Sequence, residues 1–152
     1  MQTEQTFSFL KPESVMRGLI GEIVTRFERK GLVMVAGKLL HMSTEQAQKL
    51  YEVHKGKQFF QELVSHVTSG PVFVMVWEGP SAVAVGRNLV GATNPITAAP
   101  GTVRGDFALS ITANAIHAAD SLENAKRELS IFFANNEVTR YAKPTEEEFL
   151  LK

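Results

Sequence analysis

The sequence predicts an α+β domain: a ferredoxin-like α/β sandwich in which helices cover a four-stranded antiparallel sheet. Three observations carry that prediction. Four short segments have strand patterns, helical patterns are interspersed among them, and some connections are too short for a doubly wound sheet. The chain of 152 residues is one ordinary domain in length. A domain near that size hides roughly 70% of its unfolded surface, enough for a real core.

Each element has its own justification. Gln5-Thr6-Phe7-Ser8-Phe9-Leu10 alternates polar and apolar residues, as a half-buried strand does. Lys11-Pro12 ends it, because proline cannot donate to a ladder. From Gly18 the period changes. Ile20, Ile23, Val24 and Phe27 share one helical face, away from Glu22, Arg26 and Arg29, and Gly31 suits the helix end. Leu32 to Leu40 is apolar and partly β-branched, a buried strand. Ser43-Thr44-Glu45-Gln46 has capping-box spacing and predicts a short helix to about Tyr51. Phe60, Leu63, Val64 and Val67 mark another helix, broken at Ser69-Gly70-Pro71. The apolar run Val72-Phe73-Val74-Met75-Val76-Trp77 is a buried strand.

Ser81 is expected to cap a helix through about Val90. Gly91 to Asp106, with Gly91, Pro95, Pro100, Gly101 and Gly105, reads as a long functional loop. Asn114 to Ala118 reads as a short strand. Asp120-Ser121 caps a last helix with Leu122, Ala125, Leu129 and Phe132 inward. From Asn135 the chain is polar, then acidic at Glu146-Glu147-Glu148, and it closes with Phe149-Leu150-Leu151. Neither repeat nor linker divides it. The expectation is a single domain over 1–152, with 135–152 as a C-terminal extension.

Composition removes several classes of function. Hydrophobic residues make up 44% and charged residues 21%, which argues against disorder. No apolar run is long enough to span a bilayer, and the start Met1-Gln2-Thr3-Glu4-Gln5 has no secretory pattern. Sixteen Lys+Arg balance sixteen Asp+Glu, so no nucleic-acid or membrane partner is expected, though a local basic pocket remains open. The absence of cysteine removes disulfides, thiolate nucleophiles and Cys-based zinc sites, and fits a cytoplasmic location. The phosphate-binding signatures of the large nucleotide families are missing, and metal-cage spacings are missing too. Arg104-Gly105-Asp106-Phe107 has only a faint likeness to an RNA-binding signature.

What remains is a set of polar residues in unusual places. Singly, each has an ordinary reading. His117 at a strand end reads as a satisfied core histidine, Arg87 as a solvated helix face, Thr93 and Arg104 as turn chemistry, and Lys11 as a gatekeeping charge. Phe59 and Phe60 cannot both join the core stripe, so one of them is exposed. Together they form a different pattern. A phosphate-handling site needs fixed positive charge, hydroxyl donors and an apolar face for a base. Lys11, Arg87, Thr93 and Arg104 supply the first two and Phe59 the last. A neutral imidazole such as His117 can attack phosphorus.

At these residues the sequence resembles the nucleoside diphosphate kinases. Asn114-Ala115-Ile116-His117-Ala118-Ala119-Asp120-Ser121 is similar to the family signature N-x-x-H-G-S-D-S. Thr93-Asn94-Pro95 resembles T-N-P, and Pro100 to Phe107 resembles P-G-T-I-R-G-D-F. Leu10-Lys11-Pro12-Glu13-Ser14-Val15 resembles I-K-P-D-G-V; Ser69-Gly70-Pro71-Val72 and Trp77-Glu78-Gly79 also match in place. The likeness runs from about Thr6 to Phe133.

The resemblance implies ping-pong transfer of a γ-phosphate from ATP or another nucleoside triphosphate to a nucleoside diphosphate. His117 would be phosphorylated through Nδ1, with Glu128 holding its imidazole and Tyr51 beside it. Lys11 and Asn114 would bind the sugar hydroxyls and bridge toward the phosphates. His54, Arg87, Thr93 and Arg104 would hold phosphate oxygens. Phe59, with Leu63 and Ile111, would cover the base. Mg²⁺ would arrive with the nucleotide rather than in a protein cage. The family assembles as hexamers or tetramers; Pro95 and the longer tail favour a homo-oligomeric hexamer here. The alternative is a non-catalytic nucleotide-sensing or scaffolding module on the same fold.

Three departures from the family pattern bear on chemistry. Ala118-Ala119 replaces Gly-Ser, so the hydroxyl that would hydrogen-bond Glu128 is missing. Glu13-Ser14 replaces Asp-Gly after Lys11, and Gln58 stands where the family usually has proline.

Overall fold

The computed structural model describes residues 3–143 and 148–151. Glu146 and Glu147 of the acidic run lie outside the described residues. So do Met1 and Gln2.

Strands β1 (Thr3–Leu10), β2 (Val33–His41), β3 (Pro71–Pro80) and β4 (Ile116–Ala118) form one sheet in the order β2-β3-β1-β4. All three pairings are antiparallel. The α-helices that accompany it are α1 (Pro12–Met16), α2 (Ile20–Lys30), α3 (Thr44–Leu50), α4 (Phe60–Val67), α5 (Ala82–Val90), α6 (Val103–Phe107) and α7 (Leu122–Phe132). This is the α+β sandwich the sequence predicts.

Strand parity assigns the two cores. Successive side chains point to opposite faces of a strand. Phe7, Phe9, Val72, Val74 and Val76 therefore face one way and pack with Phe60, Val64, Val67 and Phe132 of α4 and α7. Leu10, Met75, Trp77 and Ile116 face the other way and pack with Ile23 and Phe27 of α2. Because both faces are covered, β3 reads as an unbroken apolar run. Phe27 stacks on Trp77 at 5.0 Å.

Local chemistry sets the ends of the elements. The capping box of α3 forms as expected, with Ser43 Oγ accepting from Gln46 N and Gln46 Oε1 accepting from Ser43 N, each at 3.0 Å. Gly31 ends α2 at φ 111°, a conformation that side chains other than glycine's resist. Ser121 caps α7 through Asn124 N.

Five expectations need correction. Leu32 to Leu40 is not a buried strand throughout: β2 lies at the edge of the sheet and Leu39 is 59% exposed. Ser81 does not cap α5: its backbone is left-handed (φ 52°) and it makes no capping bond. Glu4 of β1 does that work, its Oε1 accepting from Val83 N at 3.0 Å. Gly91 to Asp106 is not wholly loop, because α6 begins at Val103 behind a Thr102 cap. Gly105 is needed there, since a Cβ would run into the Ala99 carbonyl. The strand expected from Asn114 pairs only from Ile116, since Ala115 turns left-handed at φ 79°. Leu122 is 40% exposed, not inward. The short helices α1 and α6 add to the expected set.

The tail is tied to its own chain. Thr139 N donates to Val35 O at 2.7 Å, and Arg140 pairs with Glu78 at 2.7 Å.

Candidate active site

The site forms where β1 and β4 end. Lys11 directly follows β1 and His117 is the middle residue of β4, paired across the ladder with Phe9. That register places His117 on the Phe7/Phe9 face. Its ring stacks on Phe9 at 5.2 Å and meets the edge of Tyr51 at 6.2 Å. Glu128 occupies a position in the buried stripe of α7, between Ala125 and Phe132. From there Glu128 Oε1 lies 2.6 Å from His117 Nε2. That contact engages Nε2 and leaves Nδ1 as the ring nitrogen the carboxylate does not hold.

The two arginines approach from the other face of the sheet. Arg87 Nη1 donates to Ala118 O at 3.1 Å, and Arg104 Nη2 donates to Ile116 O at 2.8 Å. They therefore grip the carbonyls on either side of His117. Arg104 Nη1 also holds Gly91 O at 3.0 Å, while its Nε is buried without a partner. Asn114 Nδ2 donates to Thr93 O at 3.1 Å and leaves Oδ1 buried and unpartnered. Tyr51 OH is likewise unpartnered among the described residues. Buried polar atoms are normally satisfied, so this cluster of orphans marks a surface built for something polar.

Between these groups lies a cavity of about 600 Å³, and all twelve residues singled out from the sequence line it. Tyr51 and His54 come from the end of α3 and the turn Glu52–His54. Phe59 and Leu63 come from α4 and its start, and Ile111 from the loop before β4. Phe59 is 43% exposed whereas Phe60 is buried, which resolves the pair. Its ring stands 5.1 Å from that of His54.

Burial shapes the charges. Desolvation pulls the Lys11 ammonium down to about 8; Glu13 beside it holds it up, and Arg104 pushes it further down. Arg104 is lowered to about 10, by burial first and then by Arg87. Tyr51 is raised, by burial first and then by Glu128. Unneutralised positive charge crowded into a low-dielectric cleft favours an anionic ligand.

Sequence reasoning did not single out Asp120, Asn124, Arg127, Glu62 or Thr112, which also line the cavity. Asp120 was visible inside the matched signature. Asn124 Nδ2 donates to it at 2.7 Å, and this bond leads the influences that lower its carboxyl. Arg127 donates to Lys49 O at 3.0 Å and stands 3.7 Å from Glu128 Oε2, a tertiary role with no local signal.

The family model for nucleoside diphosphate kinase matches residues 4–138. The chain belongs to the nucleoside diphosphate kinase family. Members of this family pass a γ-phosphate between nucleotides through a phosphohistidine. The nucleoside diphosphate kinase of Metallosphaera sedula is 58% identical over 139 residues, covering 91% of this chain and 99% of its own. That of Kosmotoga olearia is 53% identical over 146 residues, covering 96% and 99%. Among solved structures, the halophilic nucleoside diphosphate kinase from Halobacterium salinarum in complex with CDP has a TM-score of 0.93 at 45% identity, covering 97% of this chain and 98% of its own. A Babesia bovis nucleoside diphosphate kinase family protein has a TM-score of 0.92 at 43% identity, covering 95% and 98%.

Proposed function

We propose that His117 is the phosphate carrier of this nucleoside diphosphate kinase. The observation that carries the reading is the 2.6 Å contact of Glu128 with His117 Nε2 on the wall of a cationic cavity. In the first half-reaction the Nδ1 lone pair forms a bond to Pγ of a nucleoside triphosphate. The bond from Pγ to the bridging oxygen breaks, and the diphosphate leaves with that electron pair. Glu128 steadies the imidazolium character that develops at Nε2. In the second half-reaction a terminal oxygen of a nucleoside diphosphate bonds to phosphorus, the P–Nδ1 bond breaks with its electron pair returning to Nδ1, and neutral His117 is restored.

The other assignments follow chemical type. Phosphoryl transfer asks mainly for positioning and charge stabilisation. Arg87, Arg104, Thr93 and His54 hold phosphate oxygens; Lys11 and Asn114 take the sugar hydroxyls and reach toward the phosphates. Phe59, Leu63 and Ile111 cover the base by contact area rather than by edge hydrogen bonds. ATP and other nucleoside di- and triphosphates therefore fit, and the complex of the Halobacterium salinarum enzyme with CDP supports a nucleoside diphosphate as ligand.

Among the described residues no group of three or more His, Asp or Glu could hold a metal. The cavity carboxylates are engaged separately: Glu62 with Thr112, Asp120 with Asn124, Glu128 with His117. This donor set fits Mg²⁺ carried by the nucleotide phosphates, where it neutralises oxygen charge. No helix of the described residues is long and apolar enough to cross a membrane. From its membership of the family we infer a cytoplasmic enzyme, and a hexamer as its assembly.

Incubation with γ-labelled ATP tests the reading. A phosphoenzyme labile to acid and stable to base is expected, and His117→Ala should lose it while remaining folded. Label retained in that variant overturns the assignment.

A further inference from the structure

The two departures from the family pattern after Lys11 meet at one residue, Ala115. Glu13 Oε2 accepts from Ala115 N at 2.9 Å, and Ser14 Oγ donates to Ala115 O at 2.8 Å. Lys11 N donates to the same carbonyl at 3.0 Å. Ala115 is fully buried and left-handed at φ 79°, a conformation an alanine avoids unless its surroundings impose it. Its neighbour Asn114 turns its side chain to the cavity. Glu13 is thus one of the groups that hold the backbone from which Asn114 projects.

The other oxygen of Glu13 reaches across to α4. Glu13 Oε1 lies 2.8 Å from His66 Nε2, with both side chains about four-fifths buried. His66 is one helical turn beyond Leu63 and shares the helix that Phe59 opens. Glu13 also lies close enough to Lys11 to oppose the loss of its charge. One carboxylate therefore joins the base-covering wall, the Asn114 backbone and the Lys11 ammonium.

We propose that Glu13, held by His66, is a positioning residue for the nucleotide: it sets the α4 wall and Asn114 relative to Lys11. The proposal rests on the nucleotide-site reading above. Glu13 touches no reacting atom, so its effect falls on binding more than on phosphoryl transfer.

Calorimetric titration with Mg²⁺-ADP, alongside steady-state kinetics, tests it. Glu13→Ala should weaken ADP about tenfold or more, as expected for loss of charge-assisted hydrogen bonds. The rise should appear mainly in KM, with kcat changing less. Glu13→Gln keeps an acceptor for Ala115 N and should recover most of the affinity. His66→Leu should weaken ADP by about threefold, and adding it to Glu13→Ala should cost little more, because the pair acts as a unit. Variants that melt earlier yet bind ADP normally overturn the proposal, and so do strictly additive effects. The wild-type phosphoenzyme separates the two readings. Its absence overturns the site assignment, whereas its presence with unchanged ADP affinity in both single variants overturns this proposal alone.

Discussion

Lys11 is 4% exposed, and its lowered pKa gives the site a pH dependence with two opposite signs. The folded chain holds Lys11 at about 8 against an ordinary 10.5. Between those values the unfolded chain binds more protons, so this group makes stability rise with pH. Ligand binding runs the other way. A phosphate favours the ammonium, so ADP affinity should fall as pH climbs through about 8, and binding near pH 8 should take up a proton. Titration in buffers of different ionisation enthalpy measures that uptake; its absence would remove Lys11 from the contact. Glu128 offers a second test. Its Oε2 stands 3.7 Å from Arg127 Nη2, and the buried Ala119 brings no hydroxyl. One hydrogen bond is worth about 0.5–1.5 kcal/mol, up to roughly tenfold in rate. Ala119→Ser should therefore speed His117 phosphorylation in single-turnover quench measurements. An unchanged rate would mean that Arg127 already completes the support.

Helix α4 shows how an element serves the site. Its inner face, Phe60, Val64 and Val67, belongs to the core, which leaves Phe59 free at the helix start. Lys57 Nζ sits 5.7 Å from the Phe59 ring centroid. A base stacked on an aromatic ring gains about 1–3 kcal/mol. Phe59→Ala should raise KM for every nucleotide, purines most, with phosphorylation of His117 intact at saturating substrate. Equal KM values before and after the change would take the base away from Phe59. The same element scale explains what was legible. Period, caps and glycine ends are local, so α2, α3, α4 and α7 could be read directly. The α5 start could not, because its donor is satisfied by Glu4 from another strand rather than by Ser81. Helices of five residues such as α1 and α6 are too short to display a period. The site was legible through its residue types and family pattern, whereas Glu13–His66 and Arg127 depend on contacts between distant segments.

At the scale of the whole molecule, a single copy leaves apolar side chains in water. Leu109 is 84% exposed, Met16 74% and Ile96 68%. Two of these belong to one neighbourhood, because Arg17 Nη1 donates to Phe107 O at 2.6 Å and so joins the end of α1 to the loop after α6. Pro95 is buried within its own chain, which gives the adjacent Ile96 a firm base from which to project. Full burial of a leucine-sized side chain is worth about 1.5–3 kcal/mol, and a symmetric assembly repeats that gain in every copy. The tail is committed to its own subunit through Thr139 and Arg140, so its described part adds stiffness to the sheet edge rather than a free arm. Sedimentation velocity should therefore find a homo-oligomer of the 16.8 kDa chain, with six copies expected. Leu109→Glu puts a charge where that surface would close, and it should shift the protein to smaller species without unfolding the subunit. A wild type sedimenting as a single chain, or a Leu109→Glu variant that keeps the full assembly, would place the contact elsewhere.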